Sequence, residues 1–285
     1  MMKLQTPVEY APLEERLGYK NKYFFIGSCF AAEIGSMMKD LGFDILLNPF
    51  GVLYNPASIH YSINRLASGT PFTEKDIIIS DGRYTSFFHH STFSRESAEE
   101  FLTNANACLE RDSARFAAAD TCIVTLGTAW VFRHLERDII VSNCHKIHPA
   151  QFRRERLETE EVTGLLCEIV EAQPDKKWIF TVSPIRHLKD TAHGNQLSKS
   201  ILLLAIDRLQ QFHPEVEYFP TYEIMMDELR DYRFYAENMT HPTDQSIRYI
   251  FERFCDYAID ASEMAAIAEA QKRLKASRHI SFTSK

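Results

Sequence analysis

Residues able to do chemistry together are scattered along this chain, and the first is a hydroxyl. In Tyr23-Phe24-Phe25-Ile26-Gly27-Ser28-Cys29-Phe30-Ala31, four apolar residues run into Gly-Ser and then into a helical pattern of Ile34, Met37, Met38 and Leu41. That spacing predicts a buried strand, a tight turn and an amphipathic helix, with Ser28 at the junction. Open α/β sheets bind ligands in the crevice at such a corner, where helix amino-terminal N–H groups favour negative charge. A hydroxyl there is a nucleophile, an anion ligand or a helix cap. Late in the chain, His241 stands just before another predicted helix, in Ala236-Glu237-Asn238-Met239-Thr240-His241-Pro242. A serine and a histidine brought to one sheet edge suit acyl transfer. Imidazole takes the hydroxyl proton, and backbone N–H groups hold the tetrahedral oxyanion. Gly51, in Asn48-Pro49-Phe50-Gly51, is the best second donor beside the N–H of Ser28 itself. Cys29 is a rival nucleophile, because helix amino termini favour thiolates, although adjacent side chains cannot both face the crevice.

The elements that must position these residues alternate strand and helix. Strand one, Tyr23–Ile26, is followed by a helix over Ala31–Leu41 that Gly42 ends. Strand two is Phe43–Leu47. Asn55-Pro56 then opens a helix, with a capping amide and proline at the first helical position. Ile77–Ile79, the turn Asp81-Gly82 and Tyr84–Phe88 predict an inserted hairpin that ends in His89-His90. Ser97 and Glu100 have capping-box spacing and begin a helix to about Arg115. Strand three, Thr121–Leu126, closes on Gly127-Thr128-Ala129-Trp130. A second hairpin, Val131–His134 with Ile139–Ser142, leads to Asn143-Cys144-His145-Lys146. A helix from Thr159, strand four (Trp178–Val182, ended by Ser183-Pro184), a helix over about Asn195–Gln211, strand five (Val216–Phe219) and a helix from Thr243 complete the pattern. Residues 1–20 predict a lead-in strap with a short helix candidate at Leu13–Leu17. Right-handed crossovers then give a three-layer α/β/α sandwich with a five-stranded parallel sheet and inserted hairpins. One domain is expected over residues 1–261, followed by a projecting Ala/Glu/Lys-rich helix over 262–285. All strand carboxyl ends fall on one edge of such a sheet, so the polar residues closing each strand converge.

Composition bounds the partners. With 285 residues, 45% hydrophobic and 25% charged, the chain reads as an ordinary globular protein. A net charge of −7 without any Lys/Arg cluster speaks against a nucleic-acid partner. The opening residues lack the apolar stretch of a secretory signal and no run is long enough to span a bilayer, so a cytoplasmic location without a membrane partner is expected. Six cysteines occur singly with no C-x-x-C pair, as reduced thiols do. His89-His90, His145 and His148 match no usual zinc-ligand spacing. No metal and no cofactor are expected, and the oligomeric state is not legible.

The segment Gly27-Ser28-Cys29-Phe30-Ala31 resembles the signature of the GSCFA family, whose members are related to the SGNH (GDSL-type) hydrolases. Asn48-Pro49-Phe50-Gly51, Asn143-Cys144-His145-Lys146 and Ala236–Pro242 resemble that family's pattern too, and the likeness covers roughly residues 5–260. The resemblance implies a flavodoxin-like sandwich with Ser28 as nucleophile, Gly51 at the oxyanion hole and His241 as base. Two departures stand out. The SGNH pattern has Asp three residues before the histidine, where this chain has Asn238, with Glu237 one step earlier. Either Glu237 supplies the carboxylate, or Asn238 orients the ring within a dyad, or the triad is impaired; an amide there can favour the wrong imidazole tautomer. The pattern also has Asn after strand three, where Thr128 stands; Thr128 or Asn143 can donate in its place, and His145 belongs to a candidate substrate-binding loop.

These features set the expectation of a serine hydrolase. It would cleave an ester of a small molecule or carbohydrate, such as an O-acetyl group, through an acyl-Ser28 intermediate. Two alternatives remain open: an O-acyltransferase using the same acyl-enzyme, and a catalytically impaired ligand-binding protein of the same fold.

Overall fold

Apolar runs, most of them buried on both faces, become strands β1 (Lys22–Gly27), β2 (Asp44–Leu47), β5 (Thr121–Leu126), β9 (Lys177–Val182) and β10 (Glu217–Tyr218). The computed structural model describes residues 5–283. These strands form one parallel sheet in the order β10-β9-β5-β1-β2. Both faces of β1 are covered, as a parallel sheet requires. Phe24 and Ile26 point into one core and Tyr23 and Phe25 into the other, the period of two expected of a strand. The first core is closed by α2 (Pro56–Ser68), α3 (Ala98–Ala118), α4 (Thr159–Glu171) and α5 (Thr191–Phe212). The second is closed by α1 (Cys29–Asp40), α7 (Asp244–Ala258) and the start of α8 (Met264–Thr283). The result is the expected three-layer sandwich with a five-stranded parallel sheet.

The insertions differ in detail from expectation. Strands β3 (Ile77–Ser80) and β4 (Arg83–Ser86) make the first hairpin. The second, β6 (Trp130–His134) and β7 (Ile139–Val141), gains a third strand, β8 (Phe152–Arg156), that the residue pattern did not announce. Its sequence Phe-Arg-Arg-Glu-Arg is charged, and it pairs along β6 with little burial. The strap contains no helix at Leu13–Leu17. Both leucines are buried, and their N–H groups bond Tyr257 O and Ala258 O at the end of α7. Ile267 of α8 is buried in the α1–α7 core, so the first turns of that helix are packed rather than projecting. Between β10 and α7, the short turn α6 (Thr221–Glu223) runs into a π turn, Ile224–Glu228.

One residue lets β1 and β5 lie as close as they do. Gly27 has φ +141, and a Cβ there would sit 2.2 Å from Thr125 O, against backbone that cannot move aside. Gly69, by contrast, ends α2 at φ +61 with open space around it. Gly27→Ala is therefore expected to cost more than about 3 kcal/mol, from strain and overlap together. Gly69→Ala is expected to cost only about 1–2 kcal/mol, for the left-handed backbone alone. Urea unfolding of the two variants checks this; equal losses would contradict the close-approach account.

Candidate active site

Ser28 stands where the sequence puts it, between β1 and α1, with extended backbone (φ −67, ψ 175). It occupies the capping position but does not cap. Asn55, Ser97 and Thr243 each accept the N–H three residues on. Ser28 Oγ is fully buried and has no hydrogen-bond partner among the described residues. The N–H groups expected to hold an oxyanion are engaged by the protein itself. That of Ser28 reaches Thr125 O at 3.2 Å, and that of Gly51 reaches Asn48 O at 2.8 Å. Gly51 has φ +98, and His90 packs where its Cβ would lie. Half-buried Cys29 places Sγ 3.5 Å from the hydroxyl of Tyr54.

The turn after β5 is closed from behind. The N–H groups of Gly127 and Thr128 both donate to Tyr54 O, at 2.8 and 2.9 Å. Thr128 Oγ1 accepts from the N–H of Trp130 at 3.1 Å and pairs with Ser198 Oγ at 3.0 Å. The Thr128 hydroxyl is thus held within the turn. Beneath it, Lys199 is 1% exposed and donates to Gly127 O and Ser183 O, both at 2.6 Å, tying the ends of β5 and β9 together. Burial lowers its ammonium pKa to about 7.

His241 lies exposed in a tight turn with Met239 at φ +58. Asn238 Oδ1 accepts from the N–H of Thr240 at 3.0 Å, the hydroxyl of Thr240 at 2.9 Å and the N–H of His241 at 3.0 Å. Those donors fix the amide's orientation, so its nitrogen faces His241 Nδ1 at 2.9 Å. An amide nitrogen only donates. Nδ1 then accepts, and the neutral ring carries its proton on Nε2. No hydrogen bond joins His241 to Ser28. Glu237 is exposed and makes no hydrogen bond or ion pair with any described residue, so it does not reach the imidazole here.

The loop at Asn143 is held elsewhere. The N–H of Asn143 bonds Phe87 O at 3.1 Å, and its Oδ1 accepts from the N–H of His145 at 2.9 Å. His145 Nε2 lies 2.7 Å from Ser86 O at the end of β4. Neither residue bonds to Ser28, Gly51 or His241. His89 is buried among Phe50, Phe72, Phe93 and Phe101, with burial lowering its pKa to about 3.

His187 went unnoticed in the sequence. It follows β9 on the loop that begins at Ser183-Pro184, and Asn195 Oδ1 accepts its N–H at 2.9 Å. Its Nε2 is buried without a partner, and its ring meets that of Tyr54 edge-on at 6.0 Å. Burial first, then the charges of Lys199, Arg154 and His241, bring its pKa down to about 4. Next to it, Arg186 joins this loop to the histidine turn, its N–H bonding Thr240 O at 3.0 Å. A histidine within five residues of a predicted strand end was the available signal. Among the described residues, no group of three or more His, Cys, Asp or Glu could hold a metal ion. Among the same residues, no helix is long and apolar enough to cross a membrane.

Residues 22–254 match the family model described as the GSCFA family. No curated protein matches the chain. Solved structures similar to it include two esterases. An acetyl xylan esterase (Est2A) from the rumen bacterium Butyrivibrio proteoclasticus is 12% identical, covering 84% of this chain and 63% of its own at a TM-score of 0.41. This chain therefore spans less than two thirds of that protein. A carbohydrate esterase family 2 enzyme with a carbohydrate binding domain, from Corynascus thermopiles (Myceliophthora fergusii), is 13% identical, covering 94% of this chain and 69% of its own at a TM-score of 0.40.

The two buried imidazoles have a consequence for stability. His89 and His187 stay neutral in the folded chain down to about pH 3 and 4, whereas the unfolded rings protonate near 6.5. Their contribution is complete above pH 6.5 and is lost as pH falls toward those folded values, because only the unfolded chain takes up the protons. Each ring adds up to about 1.4 kcal/mol per pH unit to the slope. In His89→Phe, unfolding free energy measured between pH 6 and pH 4.5 is expected to fall less steeply by about that amount. An unchanged slope would contradict the neutral buried ring.

Proposed function

From the premise that the chain belongs to the GSCFA family, we propose that it is a serine esterase of SGNH type working through an acyl-Ser28 intermediate. The observation that carries this is the Ser28 hydroxyl: buried, without a partner and not used as a cap, at the carboxyl end of β1. Leaving a buried hydroxyl unpaired costs about 1–3 kcal/mol, and a bound ester or its attacking geometry would supply the missing contact. Ser28 Oγ attacks the ester carbonyl once Asn238 has turned its oxygen to Nδ1–H, the tautomer that frees His241 Nε2 to take the hydroxyl proton. The imidazolium then protonates the departing alkoxide, and water releases the acyl group by the same steps in reverse. The oxyanion is held by the N–H groups of Ser28 and Gly51, which must turn from Thr125 O and Asn48 O as substrate enters. At 3.2 Å the Ser28 contact is the longer of the two and the more readily exchanged. The substrate class is a small-molecule or carbohydrate ester, and an acceptor hydroxyl in place of water would make the same acyl-enzyme a transferase.

A second reading is a ligand-binding protein whose triad has lapsed. It is favoured by the tautomer that Asn238 imposes on His241, which leaves Nε2 a donor. Labelling with an active-site serine phosphonate, mapped by mass spectrometry, separates the two. Modification of Ser28 that disappears in Ser28→Ala supports the esterase, and a tag on Cys29 would reassign the nucleophile. Asn238→Asp sharpens the choice. A carboxylate in the same place keeps the backbone contacts and accepts from Nδ1–H, so Nε2 becomes a base. Ester turnover is expected to rise at least tenfold, by the logic that a mismatched tautomer costs about four orders of magnitude. No rise, with Ser28 still labelled, would mean that His241 is not the base.

A further inference from the structure

A cavity of about 300 Å³ lies beside the histidine turn, walled by Arg186, Tyr222, Met225, Met226, Leu229 and Tyr235. Its position follows from contacts already described. Arg186 carries the turn on its N–H and also donates Nη1 to Met239 O at 3.1 Å. Tyr235 bridges to Pro242, the residue after His241. The cavity and the His241 turn therefore share a wall.

The far wall is the π turn Ile224–Glu228, closed by the N–H of Leu229 on Ile224 O at 3.0 Å. A π turn is rarer and wider than an α turn, and such turns cluster at functional sites. Here it carries Met225 and Met226 on successive positions, one 1% exposed and the other 37%. Methionine side chains adapt to irregular apolar shapes. The Tyr222 hydroxyl is already taken by Gln196 Oε1 at 2.6 Å, and that of Tyr235 leans on Met226 Sδ at 3.7 Å. Asn195, Gln196, Arg230 and Asp231 also line the cavity, but most of its wall is aromatic, thioether and aliphatic, a better match to hydrocarbon than to a sugar ring. The space equals roughly ten water-sized volumes, well beyond what an acetyl group fills.

We infer that this cavity takes the acyl part of the substrate, as an unbranched hydrocarbon chain longer than acetyl. This rests on the esterase reading for its catalytic meaning, while the binding itself does not.

Two measurements on the full chain test it. Isothermal titration with hexanoate and with acetate reads the cavity alone. Each added methylene is worth up to about fourfold in affinity when buried, so hexanoate is expected to bind at least tenfold more tightly. Met226→Trp, which fills the space from a partly exposed position, is expected to erase that difference. Turnover of 4-nitrophenyl acetate, butyrate and hexanoate reads the catalytic meaning: kcat/KM is expected to climb with chain length, and the hexanoate-to-acetate ratio to collapse in Met226→Trp. Hexanoate binding without Ser28 labelling would support the cavity and sink the esterase reading. Ser28 labelling with no preference for hexanoate in either assay would overturn the cavity assignment and leave the esterase standing. Glucose binding that exceeds hexanoate binding and is lost in Met226→Trp would overturn it as well.

Discussion

Asn48 holds the corner on which the site is built. Its Oδ1 accepts the N–H of Gly27 at 2.9 Å, its own N–H bonds Phe25 O at 2.9 Å, and its carbonyl accepts the N–H of Gly51 at 2.8 Å. One residue thereby locks the end of β1 to the end of β2 and aims the chain into α1. It adopts φ +42 to do so, a left-handed backbone that asparagine tolerates better than most residues. Gly27 completes the arrangement, because only a residue without Cβ can approach Thr125 so closely. Ser28 is therefore placed by backbone on three neighbouring strands, and not by any contact of its own hydroxyl.

Charge around the crevice follows a similar logic. Lys199 lies behind the ends of β5 and β9, its Nζ bonded to the two strand-end carbonyls. Asp190, on the nearby loop, is ion-paired with Arg154. The same Lys199 and Arg154 help hold His187 neutral. Burial first, and then these charges, oppose adding a proton to His187.

Most of the fold was legible because it rests on local patterns. The run Tyr23–Ile26, the Asn55-Pro56 and Ser97 caps and the Asp81-Gly82 turn each carry their own physical signal, and each formed as expected. Strand β8 was missed because it has no apolar face; its pairing comes from β6 rather than from its own residues. The site was legible only in part. Ser28 and His241 could be named from their places beside strand and helix ends. The Asn238 amide was foreseen as able to impose the wrong tautomer, but the engaged Gly51 N–H was not, because the direction of a backbone hydrogen bond is not written in the sequence. Lys199 and His187 escaped for a related reason. A lysine in a helix reads as a solvated face, and nothing local reveals that two strand-end carbonyls wait for it.

On the proposed reading, the corner is a set of contacts arranged for replacement. Ser28 occupies a capping position three residues before a free helical N–H, yet its hydroxyl stays unpaired while Asn55, Ser97 and Thr243 all cap. Capping would recover about 1 kcal/mol, so the fold forgoes a stabilisation that its sequence could supply. Meanwhile the Ser28 N–H is parked on Thr125 O at 3.2 Å, toward the long end of the N–H···O range. An unpaired hydroxyl beside a weakly held N–H costs stability when empty and is relieved when a carbonyl enters between them. A purely structural cap would show the reverse pattern, with the hydroxyl bonded and nothing for a ligand to improve. The asymmetry between Ser28 and the three working caps is the observation on which the proposed role of this serine rests.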